Sequence, residues 1–341
     1  MMGLDDPVIW VLADEYSGNV SQCLGVAEAL GLPYQVKPIV YNKWATLPNS
    51  VLGSNILHIT RKSAGAICSP WPDLVIASGR RTVAVARYIK KRSRASVFLA
   101  QIMWPGRPVG DLDLVSVPLH DDMGSKEGIV RTLGAPHNIT ANQLETAAES
   151  WQEDLSVLSR PRIAVLMGGD TKRMRFSSIM AGDFGSRCSN MAKALGGSLM
   201  VSTSRRTNRI AMRTFVESLD GEVKIFNWHE GNDLNPYLGY LALSDAVIVT
   251  GDSMSMCTEA CATGRPVFIY APVGMTAAKH NRLHKHLFEY GAARPLPEVS
   301  FPETLLNWTY PPINDATLVS NEIRKRMGLL SSESKSDPKW V

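Results

Sequence analysis

The stretch from Asn235 to Tyr270, NPYLGYLALSDAVIVTGDSMSMCTEACATGRPVFIY, decides the fold. Ala246-Val247-Ile248-Val249-Thr250 is apolar throughout, the pattern of a parallel strand covered by helices on both faces. Thr250-Gly251-Asp252-Ser253 breaks that strand and supplies residues that start a helix. Gly264-Arg265-Pro266 closes the helix, and Val267 to Tyr270 is the next strand. Such a unit belongs to a doubly wound α/β sheet. Ser253 and Ser255 fall at the helix start, where unpaired amides and the dipole favour an anion. Glu259, about one turn further on, offers a carboxylate suited to a pair of sugar or ribose hydroxyls. The layout suits a nucleotide diphosphate, although Gly/Ser turns of this kind also occur in sheets that bind nothing there.

Working outward, strand and helix signals alternate along the whole chain. Val8 to Ala13 reads as a first strand, Asn19 to Leu30 as a helix ended by Gly31, and Tyr34 to Val40 as a second strand. Leu74 to Ala77 is another, turning at Ser78-Gly79 into a helix over Arg80 to Lys91, and strands follow at Val97 to Met103 and Leu112 to Leu119. Thr140 to Arg160 is polar and helical and reads as the connection, with a hinge, between domains. The pattern then restarts with strands at Arg162 to Met167, Ser198 to Thr203 and Val223 to Trp228, ahead of the two already described. The fold class is therefore α/β: two Rossmann-like domains with parallel sheets facing across a cleft. The expected divisions are 1–150, 151–310, and 311–341, the last a helix near Asp315 to Met327 packing back across the domains and a polar tail.

Composition bounds the partners. The 341 residues are enough for two cores, and 45% hydrophobic with 20% charged residues is ordinary for a globular chain. A net charge of +4 gives no case for a nucleic-acid partner. The basic runs Lys90 to Arg94 and Arg324 to Arg326 lie near expected helix C-termini, where the dipole favours cations. Cys23, Cys68, Cys188, Cys257 and Cys261 are odd in number and lack CxxC spacing, so they read as reduced thiols. With no secretory signal and no run of about 18 apolar residues, the expected location is cytoplasmic, with peripheral association with a membrane left open.

Ligands of open α/β sheets bind beyond the carboxyl ends of the strands. Three strands of the second half end in polar loops there: Gly168-Gly169-Asp170-Thr171-Lys172, Ser204-Arg205-Arg206-Thr207 and Gly251 to Ser255. Glycines admit backbone amides to a ligand, and Arg205 or Arg206 offers a fork of donors matched to phosphate oxygens. Lys172, Arg173 and Arg175 add positive charge, and His229 or Glu230 stands where a base or sugar would be contacted. In the first half, Asp14 and Glu15 are candidates for a general base, while Ser17, Gly18, Asn19 and Gln22 lie where an acceptor would be oriented. The competing account is that Ser17 or Asn19 caps the helix. Neither GxGxxG nor GxxxxGK[ST] occurs at these turns, against a nicotinamide dehydrogenase or P-loop NTPase. Lys279 to His286 has histidines four apart, but HExxH is absent; the segment reads as a basic helix flank, with no metal and no cofactor expected.

Asp14 with Gly18-Asn19-x-x-Gln22-x-x-Gly25, Ser78-Gly79-Arg80-Arg81-Thr82, Gly168-Gly169, Thr203 to Thr207 and the Asn235–Tyr270 block occur here in order. Together they resemble the mitochondrial-fission "elongated mitochondria" family, whose bacterial branch is filed as a domain of unknown function. The resemblance implies a fold similar to GT-B glycosyltransferases and to nucleotide-sugar 2-epimerases. It further implies that Glu259-Ala260 with Gly264-Arg265-Pro266 is the ribose-binding element of a nucleotide-sugar domain, and that the Asp14–Asn19 loop faces the acceptor. The Gly-rich loop common after the first strand of GT-B enzymes is reduced here to Ser17-Gly18-Asn19. The leading expectation is a GT-B-like glycosyltransferase using a nucleotide-diphosphate sugar, with an envelope or lipid-linked acceptor or a membrane surface as further partner. Arg205 and Arg206 would balance the leaving diphosphate and Asp14 would act as base. A non-catalytic interaction protein with a protein partner, and a nucleotide-sugar 2-epimerase, are the alternatives.

Overall fold

The computed structural model describes residues 7–94, 96–121, 123, 128–171, 174–230 and 234–329. In chain order the first half runs β1 (Ile9–Ala13), α1 (Ser17–Leu30), β2 (Tyr34–Pro38), α2 (Asn49–Leu52), α3 (Arg61–Gly65), β3 (Leu74–Ser78), α4 (Gly79–Arg92), β4 (Phe98–Ile102), β5 (Leu114–Pro118) and β6 (Ile129–Thr132). The second half runs α5 (Ala141–Ser156), β7 (Arg162–Met167), α6 (Ser178–Ala194), β8 (Ser198–Thr203), α7 (Arg209–Glu217), β9 (Val223–Phe226), α8 (Tyr237–Leu243) and β10 (Ala246–Thr250). It continues with α9 (Met254–Ala260), β11 (Val267–Tyr270), α10 (Ala278–Tyr290) and β12 (Ala293–Pro295), before α11 (Asp315–Met327). The strands form two six-stranded sheets, ordered β2-β1-β3-β4-β5-β6 and β12-β11-β10-β7-β8-β9, and every pairing is parallel.

The chain separates into two compact units. Unit 1 comprises 1–118, 122–138 and 314–341; unit 2 comprises 119–121 and 139–313. In unit 1 the strand period of two is visible in the core. Ile9 and Val11 point to the face covered by Cys23, Val26, Val319 and Ile323 of α1 and α11, while Trp10 and Leu12 point to the face that holds Val85 and Ile89 of α4. In unit 2, Ile163, Val165 and Met167 pack beneath Phe184 and Phe215, and Phe184 lies 5.4 Å from Phe215 and 4.8 Å from Tyr270, ring centre to ring centre. Burying such side chains at roughly 1.5–3 kcal/mol each is what holds a sheet of this kind together.

Two features depart from the pattern read along the chain. The unit boundary falls at 138/139, so α5 belongs wholly to unit 2 and is not a connecting segment. Thr140 and Gln143 form a reciprocal capping box, Leu155 is buried, and Trp151 lies so close to Gly239 of α8 that a Cβ there would stand 2.4 Å from its ring. Helix α11 returns to unit 1: it packs along α1, and its Asp315 accepts the amides of Leu133 (3.0 Å) and Gly134 (2.7 Å). Burial pushes that carboxyl up to about 6 against the pull of the two amides.

Cys23, Cys188, Cys257 and Cys261 are buried free thiols and Cys68 is an exposed one, as their spacing implies. The basic runs sit in the last turns of α4 and α11. The tail beyond Leu329 lies outside the described residues. Among the described residues no helix is long and apolar enough to cross a membrane.

Candidate functional site

Strands β10, β7 and β8 are neighbours in that order, so their carboxyl-end loops meet at one edge of the unit 2 sheet. Thr250 at the end of β10 accepts the amide of Gly168 at 2.7 Å. The Asp252 carboxylate accepts the amide of Gly169 at 3.0 Å and the Arg206 guanidinium at 2.7 Å. Ser204 donates its hydroxyl to the Gly168 carbonyl at 3.0 Å and accepts the Arg206 amide at 3.2 Å. Arg206 also reaches the carbonyls of Gly169 and Asp170, each at 3.3 Å. Both glycines are dictated by crowding: a Cβ on Gly168 would lie 2.4 Å from the Asp252 carboxylate, and one on Gly169 would lie 2.1 Å from the Arg206 carbonyl oxygen.

The loop chemistry therefore differs in one respect from the expected phosphate fork. Arg206 is not an uncommitted cation, because its charge is matched by Asp252, whose side chain is only 2% exposed while that of Arg206 is 37% exposed. Arg205 is the exposed arginine of the turn. Arg175 pairs with Asp170 at 2.7 Å; partial burial opposes ionisation of Asp170, but the Phe176 amide, Arg175 and Asn208 outweigh it and hold its carboxyl low. Lys172 and Arg173 lie outside the described residues. Asp252 was not singled out from the sequence, where nothing short-range marks a pairing across 46 residues.

Helix α9 carries the remaining residues of this edge. Ser253 is its N-cap, its hydroxyl oxygen accepting the Met256 amide at 3.5 Å, a bond that leaves the O–H proton as a donor. Ser255 and Glu259, four apart, share a face of α9 and are both half-buried. Tyr237 donates its hydroxyl to Glu259 Oε2 at 2.6 Å, and burial raises the Glu259 carboxyl above its ordinary range against that bond. Among the described residues no hydrogen bond to the other carboxylate oxygen is seen.

Helix α10 closes the edge from below. His284 hydrogen-bonds the Gly251 carbonyl at 3.0 Å, and its ring leaves no space for a Cβ on Gly251, which would lie 2.5 Å away. Burial lowers His284 to about 4, so it is neutral and donates that bond. The four-residue spacing of His280 and His284 thus serves packing: His280 accepts the Ala277 amide at 3.3 Å at the helix start. Among the described residues no group of three or more His, Cys, Asp or Glu is arranged to hold a metal ion. His229 bonds the Thr207 carbonyl at 3.1 Å and so supports the arginine turn. Gly231, next to Glu230, is outside the described residues.

In unit 1 the loop after β1 is organised by Asp14. Its carboxylate accepts the Tyr16 amide at 2.9 Å, the Asn19 side-chain amide at 3.0 Å and the Tyr41 hydroxyl at 3.5 Å. Tyr16, not Ser17 or Asn19, is the N-cap of α1, and it makes no side-chain cap bond. Asn19 instead lies within the first turn and holds Asp14. Ser17 is the first helical residue, Gly18 is exposed, and the Gly18 carbonyl accepts the buried Gln22 amide at 3.1 Å. Gly79, at φ +79°, brings the turn after β3 against Asn19, where a Cβ would stand 3.0 Å from Nδ2. The Arg81 guanidinium sits over the rings of Tyr16 (5.4 Å) and Tyr41 (5.3 Å). Both Asp14 oxygens already accept bonds, so service as a base needs Asn19 or Tyr41 to give way to an incoming hydroxyl.

The family model described as Mitochondrial fission ELM1 matches residues 17–327. The uncharacterized protein RP120 of Rickettsia prowazekii (strain Madrid E) is 30% identical over 349 aligned positions, spanning 93% of this chain and 97% of its own. The Mitochondrial fission protein ELM1 of Arabidopsis thaliana is 29% identical over 302, spanning 82% of this chain and 69% of its own. Among solved structures, the UDP-GlcNAc 2-epimerase of Methanocaldococcus jannaschii, in complex with UDP-GlcNAc and UDP, superposes with a TM-score of 0.53 at 12% identity, covering 94% of this chain and 99% of that one. Acinetobacter baumannii MurG superposes at 0.50 and 13% identity, over 94% of this chain and 99% of its own. At these identities the two superpositions establish the fold, which is of the GT-B type, and only the fold.

Proposed function

We propose that this chain, which belongs to the mitochondrial fission ELM1 family, is a GT-B-like glycosyltransferase whose unit 2 binds a nucleotide-diphosphate sugar and whose unit 1 receives the acceptor, an envelope or lipid-linked glycan. The observation that carries this reading is the convergence of three loops at the β10-β7-β8 edge, closed by Glu259. Gly168 and Gly169 let the loop backbone pack closely against Asp252 and the arginine turn at that edge, Ser204 braces the turn, and Ser253 with Ser255 supplies hydroxyl donors. The free oxygen of Glu259 accepts a ribose hydroxyl while Tyr237 fixes the other. Arg205 carries the charge that meets a diphosphate. Arg206, tethered to Asp252, lends orientation and a partial charge as the leaving group departs. In unit 1, Asp14 takes the proton of the acceptor hydroxyl, with Asn19 and Gln22 orienting it and Ser17 and Gly18 framing the loop.

A thermal-shift series against nucleoside diphosphates and nucleotide sugars tests the donor half. A ligand at about 100 times its dissociation constant stabilises by roughly 2.7 kcal/mol. A selective response that Glu259→Gln abolishes is expected, and no response to any nucleotide overturns the reading. Conversion of a nucleotide sugar to its C2 epimer without an acceptor would assign an epimerase instead.

One observation favours a second reading, a non-catalytic partner-binding protein. Asp14 is held by three donors and Arg206 by a buried carboxylate, an arrangement that serves structure without chemistry. Asp14→Asn separates the two: transfer falls by at least a hundredfold if Asp14 is the base, whereas binding to a protein partner is unaffected.

A further inference from the structure

From Ala29 to Pro72 the chain has no acidic residue, while it carries Lys37, Lys43, Arg61 and Lys62. The overall charge of +4 conceals this asymmetry. Within unit 1 the same stretch presents large apolar side chains to solvent: Trp44 is 52% exposed, Val51 61% and Leu57 73%. These are held, not frayed. Asn42 accepts the Trp44 amide at 2.9 Å and donates to the carbonyls of Leu57 (2.8 Å) and Ile59 (3.0 Å), so Trp44 and Leu57 project from one stitched surface. Tyr41 and Ile59 form an antiparallel bridge beneath it. Arg80 clamps the turn by donating to the carbonyls of Leu47 (2.7 Å) and Ala45 (3.1 Å). Lys43 reaches over the Trp44 ring at 5.5 Å, and Lys43, Arg61 and Lys62 pair with no carboxylate among the described residues.

We infer that this face of unit 1 docks on an anionic phospholipid surface. Exposed Trp and Leu in one stretch with Lys and Arg that have no carboxylate partner among the described residues match the interfacial zone of a bilayer, where an indole sits at headgroup level and cations meet anionic lipid. Charge alone would equally suit a nucleic acid, but nucleic acid offers no counterpart for Val51 and Leu57. The inference deepens the acceptor half of the function proposed above and rests on it for its meaning: Tyr41, which adjoins the patch in sequence, reaches Asp14, so a lipid-borne acceptor would arrive beside the proposed base.

The test is sedimentation of the full chain with phosphatidylcholine vesicles, with and without phosphatidylglycerol. Binding is expected only with the anionic lipid. Each cation near such a surface contributes about fivefold, so the triple variant Lys43→Ala, Arg61→Ala, Lys62→Ala should bind about a hundredfold more weakly. Trp44→Ser with Leu57→Ser should lose roughly tenfold with the charges intact. All these side chains are exposed, so melting temperatures should match the parent and exclude misfolding. Failure to bind anionic vesicles, or equal binding by parent and triple variant, overturns the inference. So does tighter binding to duplex DNA than to the anionic vesicles that the Trp44/Leu57 variant retains. The nucleotide thermal shift, measured without vesicles, reports on unit 2 separately, so either result can fail alone.

Discussion

The pairing of Arg206 with Asp252 makes a quantitative prediction. Asp252 is nearly sealed from solvent and has two donors, the Gly169 amide and the Arg206 guanidinium. Removing one partner of a fully buried pair costs about 3–5 kcal/mol because a charge is left uncompensated. Arg206 is more than a third exposed, so solvent screens the pair and Arg206→Ala should cost about 2–3 kcal/mol. Asp252→Ala orphans the Gly169 amide and frees Arg206 to water, for about 2 kcal/mol. The double variant has no buried charge and loses only the amide's partner and some packing, about 2–3 kcal/mol. The coupling is therefore about 2 kcal/mol. Urea unfolding of the four proteins, followed by circular dichroism and compared by midpoint at a common slope, measures it. Single effects that add to within about 0.5 kcal/mol would mean that the carboxylate is solvated and that Arg206 is the uncommitted phosphate ligand first expected.

Four further outcomes follow from the same geometry. Gly169→Ala should destabilise unit 2 by about 3 kcal/mol, since its Cβ meets the Arg206 backbone, and should remove nucleotide binding; an unchanged melting temperature would contradict the close approach. Phe184→Ala should cost about 3–5 kcal/mol, read by the same urea series. Burial holds His284 at about 4, below its unfolded value near 6.5, so the folded state resists protonation. Its contribution, about 3 kcal/mol, is present above pH 6.5 and is lost as pH falls toward 4; His284→Gln should flatten that limb of the stability profile. Because burial raises Glu259, nucleotide affinity should begin to fall at a higher pH than an ordinary carboxylate predicts, and titration calorimetry at several pH values checks this.

Much of the fold was legible because parallel strands covered on both faces leave unbroken apolar runs. The bounds read for Arg162–Met167, Ser198–Thr203, Ala246–Thr250 and Val267–Tyr270 coincide with β7, β8, β10 and β11. Of the four edge strands, β2 and β9 were also read, but the other two were not: β6 is four residues with an arginine, and β12 is three residues with a proline, its pairing supplied by β11. Helix α7 escaped because only Ala211 and Phe215, four apart, mark its buried face. Of the candidate site, the meeting of three loops followed from parallel topology alone. What those loops do with their charges did not, since Asp252 with Arg206 and Tyr237 with Glu259 are contacts that only the folded sheet creates. The same holds for Asp14, whose role as the anchor of Tyr16 and Asn19 is invisible in residue type.

The return of α11 to unit 1 bears on how the chain matures as it leaves the ribosome. Val319 and Ile323 complete the core face that α1 begins some 300 residues earlier, whereas all of unit 2 lies between. Vectorial synthesis at about 5–20 residues per second would then present unit 2 in full while unit 1 still lacks a wall. The later-made unit is expected to close first, leaving the α1 groove exposed as a site for chaperones until α11 arrives. Arrested chains ending at residue 313 should accordingly resist protease in unit 2 and yield in unit 1. Chains extended to 329 should resist in both.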